Sequence, residues 1–235
     1  MSQIPPLTIR PSSLSMYSDC ARRTAARMLP IQVQEWGYRL RRTPTHIGAA
    51  VGTATHTAAA FLLTERMIGA QIPNMTEAEQ RGIQALDEQR ENNEIGWDQT
   101  SPNVNTAQQQ IIRMAKRYRI DMLDKLEPAA IEHPLSTETR AGNVLQGRLD
   151  VMQQGVYDLK TGVRQYVNIS QYGAYSLLIR ANGMESMVVV ENYLKRVPVN
   201  NEQPPVVSTS FDVGLAERVA AVTIAAIERD YATFM

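Results

Sequence analysis

The chain has 235 residues, 43% of them hydrophobic and 20% charged, a size and balance that support a packed core and exclude a wholly disordered chain, a collagen-like repeat or a disulfide-stapled mini-protein. Lys and Arg number 24 against 24 Asp and Glu, so net charge alone does not favour a polyanion as partner. One cysteine, Cys20, permits no internal disulfide.

The charge is unevenly spread. Residues 1–50 carry Arg10, Arg22, Arg23, Arg27, Arg39, Arg41 and Arg42 against Asp19 and Glu35, whereas residues 76–98 hold an excess of acids. Such a separation gives one basic face suited to a polyanion and one acidic face turned away from it, or two solvated surfaces without a partner. Apolar stretches such as Ala58–Leu63 and Met187–Val190 fall short of a bilayer span. No basic region followed by an apolar run opens the chain. The cytoplasm is the expected compartment, the host's if the chain is phage-encoded, with no membrane involved.

Residues 1–11 read as an irregular lead-in broken by Pro5, Pro6 and Pro11. The pattern predicts a helix from Ser12 to about Leu29, capped by Ser12 or Ser13 and ended before Pro30. A second helix, Thr45 to about Ile68, is rich in small residues that allow close approach to another backbone. Thr76 and Glu79 form a capping box opening a polar helix to about Arg90. A loop is expected over 91–105, then a helix from Thr106 to Leu126 with Ile111, Ala115, Tyr118 and Met122 on one stripe.

After Pro128 the character changes. Ala130–Thr139, Asn143–Met152 and Val156–Thr161 read as short strands turned by Gly142 and Gly155. Asn168–Ala181 returns to helical spacing and stops at Asn182–Gly183. Glu185–Arg196 reads as a strand, a proline-rich loop follows, and Val213–Tyr231 is an amphipathic helix. The whole is one α/β domain over 1–235. Its first part, 1–128, is mainly helical, and 129–235 supplies the sheet core and the C-terminal helix.

The stretch with chemistry is Gly147-Arg148-Leu149-Asp150 followed by Asp158-Leu159-Lys160-Thr161-Gly162. Strand side chains alternate, so Asp158 and Lys160 point the same way, and a hairpin turn brings Asp150 near them. Two carboxylates at close range repel and favour a divalent cation. Magnesium prefers such oxygen ligands. A lysine beside the metal orients or deprotonates a water, or stabilises a phosphorane-like charge. Taken alone, the same residues describe a charged hairpin face with a surface ion pair.

Three further segments decide between these readings. Gly52-Thr53-Ala54-Thr55-His56 lies on the small-residue helix. Gln171 and Tyr175, four apart, share one helical face. Ser13 to Arg23 is serine-rich and ends Cys20-Ala21-Arg22-Arg23. Taken in chain order, the five segments resemble the RecB-type branch of the PD-(D/E)XK nuclease superfamily, with its serine-rich N-terminal motif followed by G-x-x-x-H, G-x-x-D, D-x-K-T-G and Q-x-x-x-Y, from Ser13 to Tyr175. Two departures lie in the N-terminal motif: Ala21 stands where the family has proline, and Thr24 where it has an aromatic residue.

The resemblance implies a restriction-endonuclease-like core, a small mixed sheet flanked by helices. It implies His56, Asp150 and Asp158 as metal ligands with the Leu159 carbonyl, and Lys160 as the catalytic lysine. Gln171 and Tyr175 would line the cleft and touch the DNA strand, and Arg22 and Arg23 would approach its backbone. Glu132 and Glu138, on the first strand, are acids within indirect reach of a metal and are given no role. His46 and His133 are read as structural. One or two Mg²⁺ or Mn²⁺ ions are expected. No iron–sulfur cluster is expected, since a cluster needs four ligands and the chain has one cysteine. The function implied is an exonuclease in DNA recombination or repair, working beside a recombination or single-strand annealing protein. A structure-specific endonuclease and an idle DNA-binding module are the alternatives. Oligomerisation is left open.

Overall fold

Prolines open helices here rather than break them. The computed structural model describes residues 5–41, 43–69 and 72–234, so Arg42 of the basic segment lies outside the described residues. Short strand β1 (Thr8–Ile9) precedes α1 (Pro11–Asp19), which starts on Pro11, where the missing N–H costs nothing. The predicted single helix 12–29 is two helices, because Cys20 adopts an extended backbone and divides α1 from α2 (Ala21–Met28). Pro30 then opens a third, α3 (Pro30–Glu35), instead of closing the run.

Next come β2 (Thr45–His46), α4 (Ile47–Met67), α5 (Met75–Asn92), β3 (Ile95–Gly96) and α6 (Val104–Met122). The expected capping box at Thr76 is not used. Asn74 caps α5 instead, its side-chain oxygen accepting the Glu77 N–H at 3.1 Å. The expected loop 91–105 contains β3, which pairs in parallel with β2. By length and mean hydropathy, 1.3 over its best window, α4 is apolar enough to cross a membrane, contrary to the sequence expectation, and 56% of that window is buried inside the protein. It is packed by α5 and α6 and closes on the sheet. At Gly52 an added Cβ would lie 2.7 Å from Thr161 Oγ1, so a larger residue would require the Thr161 side chain to move.

The remainder is β4 (Ala130–Glu138), β5 (Val144–Met152), β6 (Gly155–Gly162), α7 (Ile169–Ala181), β7 (Val188–Lys195), β8 (Val207–Phe211) and α8 (Val213–Phe234). The protein is a mixed α/β fold whose mixed sheet is flanked by helices. Six strands form that sheet; the sequence reading missed β8 at one edge and β1, which lies beside β5 on the same side as β6. β4 pairs antiparallel along the length of β5, β6 and β7 are parallel, and β8 returns antiparallel on β7. One core lies under α4–α6, with Val151, Leu159 and Leu194 of the sheet; the other lies under α1, α7 and α8, with Leu135, Leu149 and Val189.

Candidate active site

The site sits where the ladder fails. β5 and β6 share two register pairs next to their turn, Val151 with Tyr157 and Met152 with Val156, and then part. The other end of the same β5 edge is taken by β1, which pairs with Val144 and Leu145. One step beyond the hairpin pairs stand Asp150 and Asp158. On the other side of β5 the register places Glu132 opposite Asp150, between Ile131–Val151 and His133–Leu149. Asp150 Oδ2 accepts the Leu159 N–H at 2.8 Å, replacing a backbone partner that the parted strands do not offer.

Strands β4 and β5 both change face at this level. Alternation would keep Leu149 and Val151 on one side of the sheet, yet they lie in different cores, as do Leu135 and Ile131. Glu132 carries the reversal on β4 with φ 48°, the one non-glycine residue with positive φ among the described residues. Such a conformation costs on the order of 1–3 kcal/mol and persists only where its surroundings hold it.

α4 brings His56 over this break, its Nδ1 3.4 Å from Asp150 Oδ1. His56, Glu132 and Asp150 each offer a ligand atom within 4.8 Å of the others. Asp158 is 3% exposed. The Lys160 ammonium is 2.6 Å from Asp158 Oδ2, but it is not aligned as a hydrogen-bond donor, and that buried oxygen has no other partner. A set of three carboxylates and one imidazole, one oxygen unsatisfied, fits a hard or borderline divalent cation.

The charges shift one another. Burial first, and then the Asp150 charge, push the Asp158 carboxyl up to about 6 in spite of Lys160. Burial also works against the Asp150 carboxylate, but His56, Lys160 and the Leu159 N–H outweigh it and hold Asp150 below the usual carboxylate range. Burial opposes the charged forms of His56 and Lys160 as well; the aspartates beside them prevail, and both groups are raised. Burial, with Asp150 behind it, raises Glu132.

A groove of about 910 Å³ opens over these groups, running along α4 from Gly48 past His56 to Thr64, with Arg148 and Lys160 on its sheet side. Arg148 and Ser12 also line a neighbouring cavity of about 550 Å³, which takes in Arg10 and Tyr175.

The remaining sequence-derived residues fall less centrally. Leu159 lines the groove. Gln171 and Tyr175 are 6% and 8% exposed; the Tyr175 ring packs in the core beneath α7, and the residue also lines the neighbouring cavity. Arg22 and Arg23 are exposed on α2, Arg23 pairs with Asp19, and neither lines the groove or the cavity beside it. Arg148 takes the position near the acids instead. Cys20 is exposed. Glu138 is exposed and outside the cluster. His46 caps α4, its Nδ1 accepting the Gly48 N–H.

Three groups escaped the sequence reading. Glu132 was visible as an acid on the first strand, but no motif spacing tied it to Asp150. Arg148 stood inside Gly147–Asp150 unremarked. Glu191 is paired in register with Asp158, fully buried, and accepts hydrogen bonds from the Tyr172 hydroxyl and Gln165. The Lys160 ammonium rests 5.8 Å from the centre of the Tyr172 ring. An acid placed directly after the apolar run 187–190 was the available signal.

A family model described as the PD-(D/E)XK nuclease superfamily matches residues 8–229. Among solved structures, a protein from Eubacterium rectale provisionally assigned as an exonuclease aligns over 97% of this chain and 82% of its own, with 11% identity and a TM-score of 0.60. That likeness is one of fold. SSO0001 aligns over 84% of this chain and 83% of its own at 12% identity, but with a TM-score of 0.31 it carries no argument. No curated protein sequence matches the chain.

Proposed function

Because the chain belongs to the PD-(D/E)XK nuclease superfamily, we propose that it is a metal-dependent deoxyribonuclease of the RecB-type branch, an exonuclease acting in DNA recombination or repair. The reading rests on one observation: His56, Glu132, Asp150 and Lys160, from one helix and three strands, line a single open groove, with Asp158 buried against Lys160. The motif order from Ser13 to Tyr175 supports the branch, and the provisional assignment of the Eubacterium rectale protein supports the exonuclease.

In this reading His56, Glu132 and Asp150, with Asp158 beside them, hold one or two Mg²⁺ or Mn²⁺ ions. Such an ion, when bound, supplies Lewis acidity toward the phosphate and acidifies a water. Asp150 is held by the Leu159 N–H and His56, so its lone pairs are fixed before substrate arrives. Lys160 keeps its proton, because Asp158 and Asp150 favour the ammonium over its burial. From there it orients the attacking water or offsets charge that develops at the phosphate. Arg148, at the sheet side of the groove, meets the strand backbone. DNA is the proposed partner, with a recombination or annealing protein beside it.

Labelled linear and covalently closed circular DNA, incubated with Mg²⁺, Mn²⁺ or excess EDTA, test the reading. Linear DNA is degraded with either metal and spared in EDTA, and closed circles persist. Lys160→Ala keeps metal binding and loses cleavage. Cleavage undiminished in chelator overturns the metal mechanism. Efficient nicking of closed circles overturns the exonuclease.

A further inference from the structure

The groove continues beyond the acids to a pair of side chains that the catalytic reading does not use. Phe61 lies five residues past His56 on α4, about 7.5 Å along the helix axis, and lines the same groove. The Arg81 guanidinium, from α5, lies over the Phe61 ring at 4.5 Å from its centre. Glu77 Oε1 accepts from Arg81 Nε at 2.8 Å, which fixes the guanidinium from its edge. The Arg81 side chain remains 51% exposed. The result is a two-layer stack, aromatic below and planar cation above, open to the groove.

The chemistry of this pair favours a base over a phosphate. Arg81 is already paired with Glu77, so its charge is largely neutralised where it stands, and its remaining asset is a flat, weakly hydrated surface. The unpartnered basic character of the groove lies at Arg148 near the acids instead. Guanidinium and aromatic planes take any base by stacking, without reading its edge. The axial offset from His56 is about twice the ~3.4 Å step of a stacked strand, within reach of a base one or two nucleotides from the cleaved bond. A base inside a duplex has both faces covered by its neighbours, whereas an unpaired base has a face free to stack on the platform.

We propose that Phe61 and Arg81 form a stacking platform for the base of an unpaired nucleotide flanking the cleaved phosphodiester, so that the groove takes a single DNA strand. This rests on the nuclease reading above and names the substrate form of that site.

Cleavage and binding of a labelled oligothymidylate by the full chain with Mn²⁺ test it. Arg81→Lys keeps the charge and removes the plane; binding weakens about tenfold, the loss of one base stack. Phe61→Ala weakens it as much, with a thermal melt to compare its folding with the parent protein. An oligonucleotide carrying an abasic position beside the cleaved bond shows the same loss with the unaltered protein and no further loss with Arg81→Lys. Parent-like binding by Arg81→Lys together with unchanged binding of the abasic strand overturns the platform while leaving the nuclease intact. A parent protein that cleaves neither single strands nor duplex overturns the nuclease reading, and the platform with it.

Discussion

At the scale of single residues, the site is a contest between burial and mutual charge. Asp158 is the clearest case. Burial and the Asp150 charge raise its carboxyl to about 6, so the metal-free fold holds a proton that the unfolded chain, with an ordinary carboxylate near 4, releases. The sign follows: the native state binds the extra proton between about pH 4 and 6, and stability of the metal-free protein falls as pH rises through that window. Above it the strain of a charged Asp158 is fully present; below about pH 4 it is absent. Asp158→Asn removes this titration but also the anion that favours the buried Lys160 ammonium, so in EDTA it is expected to abolish the fall in melting temperature between about pH 4 and 6, and cleavage is lost. Calorimetry across the pH range checks it; the same fall persisting in Asp158→Asn would contradict the assignment. Glu132 shows the same economy of position: its left-handed backbone turns β4 from one core to the other while its carboxylate meets Asp150.

At the scale of elements, close approach decides which helices can frame the sheet. α7 and α8 pack closely, and Gly173 is a point of backbone contact between them. A Cβ built there would lie 1.9 Å from the Ala216 carbonyl oxygen, which is backbone and has no rotamer to yield. Gly173→Ala is expected to destabilise the protein by about 3 kcal/mol or more, through overpacking that forces α8 away. Urea unfolding measures this, and a change under about 0.5 kcal/mol, the ordinary surface value, would show that the helices slide apart freely. Because α7 also carries Tyr172, whose hydroxyl is held by Glu191, and Tyr175, whose ring packs beneath β5, the same substitution is expected to reduce cleavage.

At the scale of the whole molecule, the helical first part is tied to the sheet by a polar network outside the site. Arg196, just past β7 and 1% exposed, donates to both Asp98 carboxylate oxygens and to Ser101. Gln110 on α6 pairs with Ser101 and donates to the Val197 carbonyl. Burial of Asp98 opposes its charge, but Arg196 and the Ser101 N–H prevail and hold its carboxyl below the usual range. A depressed carboxyl contributes stability above its unfolded value and loses it as pH falls through the folded one. Asp98→Asn leaves a buried guanidinium uncompensated, at a cost of about 3 kcal/mol near pH 7. Denaturant titrations should show the difference narrowing as the parent is acidified below about pH 4; a constant difference down to pH 2 would exclude the ion pair as its source.

Much of this was legible in the sequence, because it depends on local rules. Strand periodicity and the glycine turns placed β4, β5 and β6 within a residue or two, and D-x-K alternation set Asp158 and Lys160 on one side. Hydrophobic spacing located α6, α7 and α8, and the small-residue run after Pro44 located α4. Boundaries that turn on backbone geometry were not legible. Cys20 splits a continuous helical pattern because its own φ and ψ are extended, and Pro30 opens a helix that the pattern ends. Tertiary packing alone brought Glu132 to Asp150, since their meeting depends on strands that part after two pairs and change face together. It also buried Tyr175 and left Phe61 open to the groove, a choice that helical spacing cannot make, because burial is decided by what packs against a face. Residue types and their periods are local properties; which groups converge on one point is a property of long-range register, and only the folded sheet determined it.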